Sequence, residues 1–185
     1  MSSTTSETRN SLVRAVQHLN TESFLSIVSD PGFDLTITVD EGGYTLIHEI
    51  CLSNILQKMM LRFLKDLYKL FEARYKENAA DEYRKYANLV TKEEQRTALH
   101  IAVQHSYRDV IEFLINELNA DIDTKNVYGH NILHISAMAG HVHLLITLLK
   151  EKNMNIDAKD KKGRTALHLA AHEGQTMTTV ALISL

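Results

Sequence analysis

The segment Thr97-Ala98-Leu99-His100-Ile101-Ala102 decides the fold, because its pattern returns twice at a constant distance. It recurs around His134 and around His168, so that successive histidines are 34 residues apart. A period of about 20–50 residues is typical of a solenoid, in which small units stack and each unit contacts its neighbours. Solenoids present extended binding surfaces, so this period favours a binding protein over an enzyme.

Each unit has the plan of two short helices between a turn and an extended segment. A capping residue, Thr97, Asn131 or Thr165, precedes an apolar helix. Its side chain accepts hydrogen bonds from the otherwise unpaired N–H groups of the first helical turn. Gly140 or Gly174 ends this helix, and a second helix with paired aliphatic residues follows. One such helix pair cannot bury its apolar face alone, so the units must stack.

Two further units precede these three. Residues 43–51 match the pattern with Thr45 as the cap, and the unit before them is degenerate because polar residues such as Arg14 and His18 replace apolar or small ones. Polar residues of that kind are expected of a terminal unit that faces water on one side. We therefore predict a disordered N-terminus over residues 1–9 and a single domain over residues 10–185. Its units span about 10–42, 43–94, 95–128, 129–162 and 163–185.

The second unit contains an insertion, since His48 and His100 are 52 residues apart rather than 34. Apolar residues over residues 54–77 recur at helical spacing, which predicts an amphipathic helix about 35 Å long. Two interpretations stay open: an overlong outer helix packed on its own stack, or a docking element for a partner. Binding of this helix to a membrane or to calmodulin is disfavoured, because the neighbouring units need its apolar face.

These units resemble the ankyrin repeat. The signature of that family, Gly-x-Thr-Pro-Leu-His-x-Ala-Ala followed by Gly-His, is matched by residues 163–174 and by residues 129–141. The proline of the signature is absent from every unit, but it only preorganises the first helical turn, so we expect the fold to remain. The resemblance implies an all-α ankyrin-repeat solenoid of stacked helix-turn-helix units with hairpin-like loops and one long inserted helix. It also implies that the histidine of each unit is buried and ties neighbouring hairpins together by hydrogen bonds.

Composition disfavours several classes of function. The net charge of -3 gives no general attraction to nucleic acid or to anionic lipid. No apolar run approaches the roughly 20 residues that a membrane span needs. Cys51 is the only cysteine, so no internal disulfide is possible, which suits a reducing compartment. We therefore expect a soluble protein of the cytoplasm, or of the nucleus, with no nucleic-acid or membrane partner.

The ten histidines raise the question of a metal site. Those at equivalent positions lie on successive units, and packed helices are about 8–10 Å apart. Zinc ligands lie about 2.0–2.1 Å from the metal, so histidines that far apart cannot share one ion. The chain also has no glycine-rich phosphate loop and no nucleophile with an activating base. We predict no catalytic residue, no cofactor and no metal.

The resemblance also implies where a partner would bind. In ankyrin stacks, partners usually contact the hairpin tips and the exposed face of the inner helices, and tyrosine and arginine are enriched among binding hot spots. Carried over by position, the predicted contact residues on the tips are Tyr44, Arg96, Tyr128, His130 and Arg164, and those at the inner helices are Gln104, His105, Met138, His172 and Glu173.

The resemblance implies a non-enzymatic protein–protein interaction module, and we expect a monomer that binds another protein. The narrower form of this hypothesis is an inhibitor that masks a Rel/NF-kappaB-type transcription factor, like the inhibitor-of-NF-kappaB proteins and the short viral ankyrin proteins that mimic them. The alternative is the N-terminal ankyrin segment of a larger channel, acyltransferase or scaffold protein. That alternative rests on the apolar residues 180–185, which another unit would ordinarily cover.

Overall fold

The computed structural model describes residues 6–53 and 55–185, which form stacked pairs of α-helices. In chain order the helices are α1 (Ser6–Gln17), α2 (Thr21–Val28), α3 (Leu46–Leu52), α4 (Gln57–Tyr75), α5 (Ala79–Ala87), α6 (Ala98–Gln104), α7 (Arg108–Glu112), α8 (Ile132–Met138), α9 (Val142–Lys150), α10 (Ala166–His172) and α11 (Thr176–Ile183). The inner layer consists of α1, α3, α6, α8 and α10, each of which contacts the next. The outer layer contains α2, α4, α7, α9 and α11. The predicted all-α solenoid is therefore confirmed.

Capping residues set the starts of the inner helices, as the sequence indicates. Thr97 and Asn131 have extended backbones, and their side chains accept the N–H of the histidine three residues later. Each helix then buries its apolar positions, such as Leu99 and Leu133, between the two layers. In the described residues no strand forms, although Thr38 and Thr45 pair in an isolated bridge. None of the helices in these segments combines the length and the apolar character needed to cross a bilayer.

The N-terminal helix is longer than the sequence suggests. We predict disorder over residues 1–9, but α1 begins at Ser6, so residues 6–9 are helical. Glu7 lies in the first turn, where an acidic side chain interacts favourably with the helix dipole. Leu12 is fully buried and anchors the helix to the stack. Residues 1–5 lie outside the described part of the chain.

The insertion forms two helices that meet at a sharp turn. The helix predicted over residues 54–77 is observed as α4, and Asn54 lies outside the described residues. Lys76 adopts a left-handed backbone with φ of 50°, which ends α4 and leads through a short 3-10 turn, Lys76–Asn78, into α5. The helix therefore ends slightly earlier than predicted, because the chain turns at Lys76.

The apolar face of the insertion packs against the stack. Met60, Phe63 and Leu67 of α4 are fully buried, and Phe63 meets Phe24 of α2 edge to face with 5.0 Å between ring centroids. On the other side, Phe71 lies 4.8 Å from the ring of Tyr83 in α5. The packing of this apolar face therefore fits the first of the two open interpretations, an overlong outer helix packed on its own stack.

Tyr86 of α5 completes the N-terminus of an inner helix. Its hydroxyl accepts a hydrogen bond from the N–H of Leu46, 3.0 Å away, and donates to the carbonyl of Ile37 at 3.4 Å. Leu46 is the first residue of α3, so its N–H has no partner within the helix. The insertion is thus part of the folding unit, because Tyr86 pairs an N–H at the helix start that the capping box of Thr45 and His48 does not pair.

We expect Tyr86→Phe to lower the free energy of unfolding by about 1–2 kcal/mol, because it leaves the buried N–H of Leu46 without its acceptor. Urea denaturation followed by circular dichroism measures the change. Tyr75→Phe is the matched control, since the hydroxyl of Tyr75 makes no hydrogen bond with any described residue. Equal losses in the two variants would contradict the capping role.

Candidate functional site

A histidine in each of two successive units ties that unit to the next. In the third unit, Nδ1 of His100 lies 3.1 Å from the backbone nitrogen of Thr97 and accepts its N–H. The proton of the neutral ring is therefore on Nε2, which donates to the carbonyl of His130 in the following tip at 3.2 Å. His48 repeats the arrangement with Thr45, and its Nε2 lies 2.9 Å from the carbonyl of Arg96. These contacts give both histidines the buried, bridging role implied by the resemblance.

The last histidine departs from this pattern. His134 is fully buried, but His168 is exposed, and its Nδ1 contacts Thr165 of the same unit. The expectation that His168 is buried is therefore wrong. The physical reason is that no described helix pair packs over α10 and α11 to cover the ring.

Backbone hydrogen bonds join the hairpin tips into a continuous ridge. The bonds run from the N–H of Lys92 to the carbonyl of Gly42, from Val127 to Glu94, and from Lys161 to Tyr128, at 2.7, 2.9 and 3.1 Å. Because each tip is tied to the preceding one, side chains on adjacent tips keep a fixed separation.

Short polar side chains brace each tip from within. In each tip a side-chain oxygen accepts a hydrogen bond from a backbone N–H. The pairs, with the acceptor first, are Asp40 with Tyr44, Thr91 with Arg96, Asn126 with His130 and Asp160 with Arg164. These bonds fix the backbone of every residue that precedes a cap, which is where four of the predicted contact residues lie.

A groove of about 560 Å³ lies between these tips and the inner helices of the last three units. Ile135, Met138 and Ala139 of the fourth unit provide an apolar floor. The predicted residues that line the groove are Arg96, Gln104, Tyr128, His130, Met138, Arg164 and Glu173. The fold therefore brings most of the predicted contact residues into one concave surface.

Three predicted residues lie outside this groove. Tyr44 is half-buried on the second tip, where its ring lies 5.9 Å from that of His48. His105 is exposed beyond the end of α6 and stacks on Tyr107 with 5.5 Å between centroids. His172 is exposed at the end of α10 and contacts the carboxylate of Glu173 at 3.0 Å.

His130 lines the groove, but its side chain is almost entirely buried. It is only 7% exposed, and its Nε2 lies 3.2 Å from the carboxylate of Asp160. The guanidinium of Arg164 donates to the same carboxylate at 2.8 Å. Burial alone would raise the pKa of Asp160, but the N–H groups and guanidinium of Arg164, the N–H of Lys162 and the ring of His130 together hold it well below its usual range. This cluster supports the groove, and its burial leaves little of His130 for a partner to contact.

Tyr128 is the exposed large hydrophobic side chain at the groove. It is 58% exposed, although its backbone N–H donates to the side chain of Asn126 at 3.0 Å. Arg96, on the opposite side, forms an ion pair with Glu94 and donates to the side-chain oxygen of Gln104 at 3.0 Å. The groove therefore combines an aromatic side chain, an apolar floor and charges of both signs on rigid supports.

Sequence reasoning missed the bracing residues and part of the groove rim. A side-chain acceptor four residues before the residue that precedes a cap is a usable sequence signal for a braced tip. Such acceptors are Asp40, Asn126 and Asp160. In the third unit the spacing is five, and Gln95 takes a left-handed backbone with φ of 52° where the other tips have glycine. Lys162, which is not among the predicted contact residues, also lines the groove beside Arg164.

The remaining reactive groups of the described residues are the candidate metal ligands and the single cysteine. In the described residues no group of three or more histidine, cysteine, aspartate or glutamate side chains could hold a metal ion. Cys51 is fully buried, and that burial raises the pKa of its thiol to about 12. A thiol with such a pKa remains protonated and is a poor nucleophile at neutral pH.

We expect the protein to lose stability between pH 6.5 and pH 4. Burial lowers the pKa of His48 and of His100 from 6.5 to about 4, despite the opposing carbonyls of Arg96 and His130. Below pH 6.5 the unfolded chain takes up protons that the folded chain does not, so the folded state is disfavoured. The loss is up to about 3 kcal/mol for each histidine at pH 4.

Urea midpoints measured at intervals from pH 7.5 to pH 4 test this expectation. His100→Gln should unfold more easily at pH 7.5 but should show a shallower decline, since one titrating ring is gone. Asp160 contributes separately, at lower pH. Because its pKa is lowered in the folded protein, its contribution to stability is lost only as the pH falls below 3.8, the ordinary pKa of an aspartate. An unchanged midpoint between pH 6.5 and pH 4 would contradict the role of the buried neutral rings.

We expect Gly129→Ala to destabilise the fold more than Gly163→Ala. Both glycines have positive φ, 82° and 76°, which costs a residue with a Cβ about 1–2 kcal/mol. A Cβ at Gly129 would also lie 2.7 Å from the backbone nitrogen of Lys161, whereas nothing lies within 4 Å at Gly163. Gly129→Ala should therefore displace the Lys161–Tyr128 bond and cost about 2–4 kcal/mol in urea unfolding. Equal losses would show that the tips are not in close contact.

The comparisons with known proteins agree with this architecture. The chain matches the family described as ankyrin repeats (3 copies) over residues 12–126 and 118–184, which together cover most of the chain. No curated protein matches the chain in sequence. Ankyrin repeats are generally non-enzymatic modules for protein–protein interaction. With its cap-and-histidine units, its tied hairpin tips and this family match, the chain belongs to the ankyrin-repeat family.

Proposed function

We propose that this protein binds a partner protein in the groove between the hairpin tips and the inner helices. The observation that carries the proposal is the exposure of Tyr128 above the apolar floor formed by Ile135, Met138 and Ala139. Tyrosine that is buried against an apolar surface is a frequent hot spot, because it adds much contact area at a small cost in side-chain entropy. Seating a partner over Tyr128 would remove this ring from water.

Rigid supports favour binding at this groove. The tip that carries Tyr128 is tied to the next tip at Lys161 and braced internally by Asn126. A preorganised surface loses little conformational entropy when a partner binds, so more of the contact energy appears as affinity.

Charges around the floor would set the orientation of the partner. Lys162 and Arg164 lie towards the fifth unit, and Glu94 lies towards the third. Arg164 already pairs with Asp160, whereas Lys162 forms no ion pair with any described residue. A partner segment with an apolar side chain over the floor and an acidic side chain towards Lys162 fits this arrangement.

The narrower proposal is an inhibitor that masks a Rel/NF-kappaB-type transcription factor. It is supported by the family, by the five stacked helix pairs and by the resemblance to inhibitor-of-NF-kappaB proteins noted from the sequence. Such an inhibitor would act as a monomer in the cytoplasm or nucleus and would compete with DNA for the factor.

Site-specific photo-crosslinking in source cells, followed by affinity measurement, tests the groove. A photoreactive amino acid in place of Tyr128 should crosslink the same protein as one in place of Gln104, on the opposite side of the groove. With that purified partner, Tyr128→Ala should weaken binding about tenfold or more. Met177→Ala is the matched control, because Met177 is 73% exposed on α11 but outside the groove, and its loss should leave the affinity unchanged. Equal losses in the two variants would overturn the assignment to the groove.

A competition assay tests the narrower proposal. Purified Rel-homology dimer bound to labelled DNA should release the DNA when the wild-type protein is added, and Tyr128→Ala should shift the required concentration upward by about tenfold. Retention of the DNA at all protein concentrations would exclude the inhibitor form while leaving the groove proposal intact.

A further inference from the structure

The outward face of α4 carries a regular row of cations. Lys58, Arg62, Lys65 and Lys69 follow one another at spacings of four, three and four residues, which places them on one face of the helix. We call these four residues the basic stripe. At 1.5 Å per residue the stripe is about 16 Å long.

Acidic side chains of the same chain neutralise the positive charge of the stripe only in part. Asp66 is the acidic residue within the row, and its carboxylate lies 3.9 Å from Arg62 and 3.6 Å from Lys69. Lys58 and Lys65 form no ion pair with any described residue. The stripe is therefore a local excess of positive charge on a chain whose net charge is -3.

Packing of α4 rests mainly on its buried apolar side chains. These include Phe63 and Leu67, whereas the four cations of the stripe are exposed. One of the cations, Lys65, also lies over the ring of Phe113, 6.0 Å from its centroid. The four cations border a shallow depression of about 390 Å³ that also includes half-buried Leu61. Cations around a small apolar surface can be covered by an acidic segment that also carries an apolar side chain.

We propose that the basic stripe binds an acidic helical segment of a partner protein. Carboxylates at the same spacings of four, three and four residues lie along one face of a partner helix and can meet the four cations in register. A leucine or similar side chain between them fits the depression at Leu61. This surface belongs to the second unit, so it is separate from the groove of the last three units and does not depend on the function proposed there.

The same features disfavour other anionic partners. A polyphosphate backbone laid along the stripe would bring its charges close to the carboxylate of Asp66 in the middle of the row. Stable binding to a lipid surface needs apolar side chains that insert beside the cations, and on this face of α4 the apolar contribution is the half-buried Leu61. An acidic polypeptide avoids both difficulties, because its side chains can be placed on either side of Asp66.

Fluorescence anisotropy with a designed probe tests the proposal. The probe is a labelled, alanine-rich helical peptide of about 16 residues, with glutamates at i, i+4, i+7 and i+11 and one leucine between them. The triple variant Lys58→Gln/Lys65→Gln/Lys69→Gln should weaken binding about tenfold, since each exposed pair contributes modestly. Lys150→Gln/Lys159→Gln/Lys161→Gln is the matched control, because it removes the same charge from exposed positions elsewhere, and it should bind like the wild type.

Each comparison supports or overturns the proposal. A peptide of the same composition with its glutamates spread around the helix should bind more weakly to the wild type, and raising the salt concentration should weaken both complexes. The proposal is wrong if the wild type does not bind the probe, if the two triple variants lose affinity equally, or if the scrambled peptide binds as well. It is also wrong if single-stranded RNA or phosphatidylserine vesicles bind the stripe more tightly than the probe. Unchanged circular dichroism of both variants confirms that each remains folded.

Discussion

The hydrogen bond from a histidine Nε2–H to the carbonyl of the following tip is the interaction on which the rest of the structure depends. It requires a neutral ring, whose Nδ1 accepts the N–H of its own cap while Nε2 donates to the next unit. Each ring therefore joins the start of an inner helix to the neighbouring hairpin. Among the described residues this bond forms at two junctions and the tip-to-tip bonds form at three, so the groove inherits its shape from the stacking itself.

The insertion shows how a repeat fold can absorb additional chain. Its long helix buries one face against the stack, and α5 returns Tyr86 to the buried N–H of Leu46 at the start of α3. The added segment therefore stabilises the unit that contains it. Its other face carries a row of exposed cations, which gives the second unit a surface that the shorter outer helices lack.

Much of the candidate site could be predicted because equivalent positions in a repeat occupy equivalent places. Arg96, His130 and Arg164 directly precede successive caps, and their constant spacing places them along one edge of the stack. The burial of His130 could not be predicted, because it depends on Asp160, which lies 30 residues later and contacts it only after stacking. The exposure of His168 likewise depends on whether another helix pair covers it.

The sequence alone determined the all-α repeat architecture, since the period, the caps and the histidines are local signals whose physical meaning does not depend on distant residues. Only the tertiary structure decided which side chains share a surface. The groove combines residues from three units, and the acceptor for the first N–H of α3 is a tyrosine 40 residues away. Contacts between units arise from how helices pack, and packing is set by side-chain shapes on both partners rather than by either segment alone.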